Sequence, residues 1–332
     1  MFRLFLSPMT DFGKPLKIDP HLTLASRALA APMAGIMNPV FCRTAADLDL
    51  VRNWITPFIS ISPGSVPSVR ALTEKLAPFR NDHALIVQLL GHDAKTMAAT
   101  AKRLAEMGVP GINLNFACPS PLVLKNGNGG AVLADKKLMA EITGCVADAV
   151  RGKANLSLKI RCGAESPAEL PEIAKILKDA EIHFVIAHFR CVREMYSPVE
   201  KPLDRLKKLR DLLPGTVLIG NGDIQSRNDA ETMMAETGCD GIAIGRAMLS
   251  NPFLLKMICA GSDAAATEED RLIFLRSTLQ SAHALECDSK RWLKHSFIEF
   301  ARMGFGVNSP VFREIAADPA AFAEKLAPIT EK

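Results

Sequence analysis

The feature that most constrains this chain is an eightfold alternation of short apolar runs with amphipathic helical segments. The runs are ALAAPM (28–33), WITPFISI (54–61), ALIVQLL (84–90), GINLNF (111–116), NLSLKI (155–160), IHFVIAHF (182–189), TVLIGN (216–221) and CDGIAIG (239–245). Between them lie helix-like stretches such as Ala94–Glu106, Lys136–Ala149, Ala168–Asp179, Pro202–Leu213 and Ser226–Glu236. A strand that is apolar on both faces must be covered on both, which is the situation of parallel strands sheathed by helices. Eight such strands in βα alternation predict an α/β fold, a (β/α)₈ TIM barrel. A doubly wound open sheet is the alternative reading of the same pattern.

Two segments fall outside the alternation. LKI (16–18) and LTLAS (22–26) flank an Asp-Pro-His turn and read as a hairpin closing the bottom of the barrel, within residues 1–27. After Pro252 the pattern changes: 261–267 reads as a linker, and 268–326 is helical by periodicity, with no strand candidate. The expected organisation is a barrel over 1–258 and a helical domain over 262–332.

At 332 residues and 48% hydrophobic content the chain has ample material for a large core. Aromatic residues make up only 6%, with two Trp and one Tyr, which argues against gripping single strands by base stacking on exposed rings. A net charge of +4 permits a nucleic-acid partner without demanding one. The eight cysteines include no CxxC pair and no Cys/His cluster at zinc spacing, so no metal site is expected and the thiols are read as reduced. MFRLFLSPM is too short for a signal segment, and no run of about 18 apolar residues occurs. No membrane span is expected, and a cytoplasmic location is.

In a TIM barrel the chemistry sits at the C-terminal ends of the strands. Polar residues interrupt the apolar runs there repeatedly: Gln88, Asn115 with Cys118, Lys159 with Arg161, His188 with Arg190, Asn221 with Asp223, and Gly245-Arg246. One such residue is ordinarily structural; a series on the same rim points to one shared site. IGNGDI (219–224) and IGR (244–246) place glycines where backbone meets a ligand closely, each ahead of a helix N-terminus with free N–H groups. The loops after strands seven and eight commonly bind phosphate in this fold, and Arg246 adds a charge-assisted contact. GNGG (127–130) is read as a mobile loop rather than a phosphate cradle.

Lys159 suits a cofactor whose reduced form is anionic, as a reduced flavin is, and Gln88 suits the flavin's pyrimidine edge. No GxGxxG follows a first strand, which disfavours a stably bound dinucleotide. Cys118 heads a loop in an Asn-x-x-Cys-Pro context. An ordinary thiol is mostly protonated at neutral pH and can act as a general acid. The residues alone leave that role and inert packing both open for Cys118; Cys145, Cys239 and Cys259 are read as packing.

The segments APMAG (31–35), QLLG (88–91), INLNFACPS (112–120), KIR (159–161), HFR (188–190), IGNGDI (219–224) and IGRAMLSNP (244–252) resemble, in order, the tRNA-dihydrouridine synthase family. The pairing of LNxxCPS with GNGDI is the specific part, and RWLKHSFIEFARMG (291–304) is more weakly similar to the family's helical RNA-binding domain. The resemblance implies FMN at the barrel mouth, NADPH as transient reductant, and a uridine drawn out of folded tRNA as substrate. Hydride would pass to uracil C6 while Cys118 protonates C5. Pro32, Met33, Gln88, Lys159 and His188 would line the flavin, and Asn221, Gly222, Asp223, Gly245 and Arg246 would lie at its phosphate. Asn115, Arg161, Arg190, Arg291 and Lys294 would contact the RNA, bound by a monomer without metal.

This sequence departs from the family pattern at Cys42, Cys191 and Leu203, where Arg, Thr and Trp are usual, and lacks the Gly expected after Tyr196. Those positions bear on which RNA is the substrate. The same chemistry on ribosomal RNA, or a small-molecule enzyme of the ene-reductase or dihydroorotate dehydrogenase kind, are the alternatives.

Overall fold

A computed structural model describes residues 10–20, 22–33, 37–79, 85–262 and 265–326. Eight parallel strand positions follow the expected runs: β1 (Ala28–Ala30), β2 (Trp54–Ile55, resuming at Ile59–Ser60), β3 (Leu85–Leu90), β4 (Gly111–Asn115), β5 (Asn155–Arg161), β6 (Phe184–His188), β7 (Val217–Asn221) and β8 (Gly241–Ile244). The ladder runs in chain order from β2 to β8 and returns to β1, where Ile242 pairs with Ala28 and Ile244 with Ala30. The sheet therefore curls into a nearly closed barrel, and the open-sheet alternative falls.

The run 54–61 is two short strands rather than one, because Pro57 has no N–H for the ladder. Thr56 bridges the interruption: its N–H donates to the Ile86 carbonyl at 2.9 Å and its Oγ1 accepts the Gln88 N–H at 3.1 Å. The seam between β1 and β2 is held by the buried side chain of Asn53. Its Oδ1 accepts the Ala25 N–H at 2.7 Å, and its Nδ2 donates to Ser26 Oγ at 2.8 Å and the Ser26 carbonyl at 3.2 Å. One carboxamide thus takes the place of missing ladder bonds.

The hairpin forms as expected, Leu16–Lys17 antiparallel to Thr23–Leu24; His21 of its turn lies outside the described residues. Leu16, Leu22 and Leu24 share a buried cluster with Leu29, Ile55, Ile86, Phe184, Ile186 and Ile219. The hairpin therefore plugs the barrel interior opposite the C-terminal strand ends.

The C-terminal segment is helical, beginning with Glu268–Ala284, which Thr267 and Asp270 start with a reciprocal capping box. A helical run from Lys290 to Phe305 follows, opened by one π turn at Leu293–Phe297, then Pro310–Ala317 and Pro319–Leu326. Phe274 packs edge-on against Phe253 and Phe300, with centroids 6.0 and 6.3 Å away. Thr44 Oγ1 hydrogen-bonds Ser281 Oγ at 3.2 Å. These helices share one continuous buried cluster with the barrel. Among the described residues no helix is long and apolar enough to cross a membrane.

Candidate active site

The C-terminal strand ends open into a cavity of about 850 Å³. Its walls include Pro32 and Met33 after β1, Asn115 and Cys118 after β4, and Lys159 with Arg161 at the end of β5. His188 with Arg190, Asn221 to Asp223, and Gly245 with Arg246 complete it from β6, β7 and β8. Parallel register carries them there: Asn115 pairs with Lys159, Arg161 with His188, and His188 with Asn221.

The loop bearing Cys118 is fixed from both sides. Asn115 Oδ1 accepts the N–H of Ala117 at 3.1 Å and of Cys118 at 3.0 Å. The Cys118 carbonyl accepts the Gly130 N–H at 3.0 Å. A side chain at Gly129, whose φ is +60°, would come within 3.0 Å of Cys118 Cβ. The GNGG segment is therefore a packed seat for the cysteine rather than a free loop, and His92 Nδ1 pairs with Asn128 Oδ1 at 2.8 Å behind it.

Lys159 Nζ donates to Asn221 Oδ1 at 3.3 Å, and Asn221 is itself anchored by donating to the Ala243 carbonyl at 2.7 Å. Burial first, then the nearby Arg161 charge, push the Lys159 ammonium down to about 8. His188 is driven further, down to about 2, by burial and then by Lys159, Arg161, Arg190 and Arg246. Its Nδ1 accepts the Arg190 N–H at 3.2 Å. The neutral ring must then carry its proton on Nε2, leaving one donor for the cavity.

Asp223 organises the far wall. It takes Arg190 in a bidentate pair at 2.9 and 2.5 Å and accepts Arg246 Nη2 at 2.8 Å, which holds its carboxyl below the usual range. Its φ of +47° follows Gly222 at +132°, where a Cβ would lie 2.3 Å from the Phe189 ring. Only glycine fits at 222. The charged side chains lining the cavity are then Lys159, Arg161, Arg190 and Arg246 against Asp223 alone, four cations to one carboxylate.

Several residues stand elsewhere than expected. Gln88 is fully buried and absent from the cavity wall; it donates to Asn113 Oδ1 at 2.8 Å and accepts from Asn115 Nδ2 at 2.9 Å. It orients Asn115 from behind. Arg161 directs its donors to the backbone carbonyls of Ala117, Cys191 and Met195 at 3.0, 2.9 and 2.7 Å, stitching the loops after β4 and β6 together. Arg190 lines the cavity but is buried, its guanidinium held by Asp223 and the Ser197 carbonyl.

The helix N-termini also differ. After β7 the helix Arg227–Thr237 is capped by the Ser226 side chain, and after β8 only a four-residue 3₁₀ turn, Arg246–Leu249, follows. Arg291 and Lys294 are exposed on the C-terminal helical run, off the cavity wall, and form no ion pair among the described residues. Cys239 packs as expected, whereas Cys145 is exposed, on an outer helix. Cys42 is buried. Buried Cys191 donates its thiol to the Cys162 carbonyl at 3.1 Å. Tyr196, which sequence reasoning noticed only as a landmark, lines the cavity with Arg246 over its ring at 4.2 Å. A lone Tyr in a loop carries no periodicity to reveal that placement.

A parallel barrel with a cationic cavity at its C-terminal mouth, a half-buried lysine and a seated cysteine is the framework of a barrel enzyme that binds an anionic cofactor or substrate. Residues 29–303 match the family model described as dihydrouridine synthase, and this chain belongs to that family. It is 30% identical over 320 residues to a probable tRNA-dihydrouridine synthase of Mycobacterium tuberculosis, covering 91% of this chain and 80% of that protein. It is 27% identical over 281 residues to the tRNA-dihydrouridine(16) synthase of Shewanella oneidensis, covering 81% and 88%. Among solved structures, histamine dehydrogenase from Rhizobium sp. 4-9 aligns with a TM-score of 0.58 at 13% identity, over 82% of this chain and 51% of that one. TcOYE with pHBA aligns at 0.57 and 12% identity, over 82% and 98%. At such identities these two speak for the barrel fold alone.

Proposed function

We propose that this chain reduces the C5=C6 bond of uridine in tRNA to 5,6-dihydrouridine, with FMN at the barrel mouth and NADPH as transient reductant. The observation that carries the reading is one cavity holding both a seated, solvent-reaching Cys118 and a surplus of fixed positive charge around Lys159. Dihydrouridine formation requires a hydride at C6 and a proton at C5. The second needs an acid held still beside the base, and the first needs a site that favours an electron-rich cofactor.

The residues present fit FMN. Lys159 makes one hydrogen bond to protein among the described residues, so the remaining N–H donors of a half-buried ammonium are open to a ligand. Four cations against one carboxylate suit a ligand that is anionic at its phosphate and, when reduced, at its ring. At Gly245 an added Cβ would meet no protein atom closer than 3.6 Å, so the protein's own packing does not require glycine there.

In this account Asn221, Gly222, Gly245 and Arg246 hold the phosphate end, and Asp223 bridges Arg190 and Arg246. Pro32, Met33, Lys159 and His188 line the ring. When bound, FMN supplies the hydride that reaches uracil C6. Cys118 holds the proton on Sγ and gives it to C5: the S–H bond breaks, the C5–H bond forms, and the thiolate is reprotonated from solvent. Asn115 has its oxygen committed to the loop and one N–H committed to Gln88, leaving one N–H for a uracil carbonyl. A base buried in folded tRNA must be extruded to reach this cavity. The helical segment 262–332, with Arg291 and Lys294 exposed, serves in this reading as the RNA-binding domain of a cytoplasmic monomer.

The experiment is a substrate comparison. Protein loaded with FMN and supplied with NADPH is offered unmodified tRNA, ribosomal RNA, or free uridine and orotate, and the products are scored for reduction. Dihydrouridine in tRNA supports the proposal. Product only in ribosomal RNA, or only from the free compounds, would replace it with the corresponding alternative.

A further inference from the structure

Arg246 leaves the end of β8, yet its side chain reaches the loops after both preceding strands. Its Nη2 donates to Asp223 after β7 at 2.8 Å, and its guanidinium lies over the Tyr196 ring, after β6, at 4.2 Å from the centroid. Arg161 lies over the same ring at 5.5 Å. The Arg246 side chain is 51% exposed and Tyr196, the only tyrosine of the chain, 50%. All three of Tyr196, Asp223 and Arg246 line the cavity.

This arrangement fixes Arg246 without using up its donors. Asp223 is already engaged by both terminal nitrogens of Arg190, so it offers Arg246 a single hydrogen bond. A guanidinium carries five N–H donors, and the others of Arg246 have no protein acceptor among the described residues. A phenol ring attracts a cation through its face while accepting none of those N–H groups there. A second carboxylate in its place would neutralise the charge and occupy the donors.

We propose that Tyr196 is a positioning residue for cofactor retention: it seats Arg246 across the β6, β7 and β8 loops, so that the open donors clasp the phosphate of FMN. The proposal rests on the flavin reading above. It makes the retention specific to the phosphate rather than to the isoalloxazine ring. It also makes retention depend on an aromatic face at 196 rather than on the phenol hydroxyl.

The test is equilibrium binding of FMN and of riboflavin, which lacks the phosphate, to purified full-length wild type, Tyr196→Phe, Tyr196→Ala and Arg246→Gln. Thermal unfolding of each ligand-free form is recorded alongside. The expected result is FMN affinity in Tyr196→Phe within about twofold of wild type. Tyr196→Ala should be weaker by roughly three- to thirtyfold, the range of a partly desolvated cation–π contact. Riboflavin affinity should be unmoved in both, and Arg246→Gln should lose FMN at least as strongly as Tyr196→Ala.

Equal weakening of FMN and riboflavin in Tyr196→Ala would overturn the clasp, as would a Tyr196→Phe as weak as Tyr196→Ala. FMN binding untouched in Tyr196→Ala, with a raised KM for RNA, would overturn it too and assign the ring to the substrate. Wild type that binds neither flavin would instead remove the flavin reading on which the clasp stands.

Discussion

Asn115 Oδ1 accepts the Cys118 N–H at 3.0 Å, and Asn115 is in turn oriented by Gln88, whose Oε1 takes its amide at 2.9 Å. Cys118 is thus positioned through a chain that starts at a buried side chain of β3. Asn115→Ala should release the loop at Ala117 and Cys118 together. A displacement of about 1 Å at a reacting group costs on the order of 10²-fold in rate. Single-turnover reoxidation of reduced enzyme by RNA should slow by about that factor, with FMN affinity changed less than about threefold. A rate within twofold of wild type would mean that the Gly130 contact alone seats the cysteine.

The seam between β1 and β2 depends on Asn53. Asn53→Leu keeps the volume but strands the Ala25 N–H and the Ser26 groups in a buried place. Each unpaired buried group costs about 1–3 kcal/mol, so urea unfolding should show a loss of roughly 2–4 kcal/mol. Most of the cavity wall lies on the other strands, and Pro32 and Met33 leave β1 at the end opposite Ser26, so FMN binding in the folded fraction should stay close to wild type.

The architecture was legible because eight short, nearly continuous apolar runs alternate with amphipathic helical segments and the polar interruptions fall at their ends. Runs such as 111–116 and 216–221 differ from the observed β4 and β7 by a residue at an end. Residues that act within their own strand end were also legible: Lys159, His188 and Asn221 all stand on the cavity wall. What stayed hidden is pairing between loops. Nothing local in the sequence says that Arg161 spends its donors on Cys191 and Met195, or that Asp223 binds Arg190. The burial of Gln88 was hidden for a related reason, since a glutamine near a strand end can face the mouth or the interior. The 54–61 run divides into two short strands at Pro57, a break that its apolar content conceals.

His188 gives an acid sensitivity with a defined sign. In the folded chain it stays neutral down to about pH 2, while in the unfolded chain it takes a proton below about 6.5. The unfolded state therefore binds more protons across this window, and stability falls as pH drops below about 6.5, by up to about 1.4 kcal/mol per pH unit. Glu169, held at about 2 despite its burial by Lys136 and three backbone N–H groups, adds its own loss only below its ordinary 4.5. Between pH 7 and pH 5 ligand-free wild type should thus lose roughly 2 kcal/mol that His188→Gln does not lose, by urea unfolding at the two values. Equal losses in both proteins would contradict a neutral buried imidazole.

Lys159 places stability and ligand binding in opposition. Its folded value of about 8 lies below its ordinary 10.5, so below pH 8 the charged side chain is a standing cost to the ligand-free fold. That cost is relieved as pH rises from 8 towards 10.5. Lys159→Met should raise ligand-free stability at pH 7 by about 1–3 kcal/mol. It should weaken FMN binding by roughly 10- to 100-fold through loss of the charge. A less stable Lys159→Met protein would show that the ammonium is compensated within the protein.

The central claim is that Cys118 delivers the C5 proton, and the direct measurement is dihydrouridine formed per turnover in unmodified tRNA by Cys118→Ala beside wild type. Both proteins are to be matched for bound FMN and for its reduction by NADPH. General-acid catalysis contributes about 10²–10⁴-fold, so the account predicts a fall of that size in nucleoside product with unchanged flavin content and unchanged reduction by NADPH. Dihydrouridine accumulating in Cys118→Ala at a rate close to wild type would contradict it.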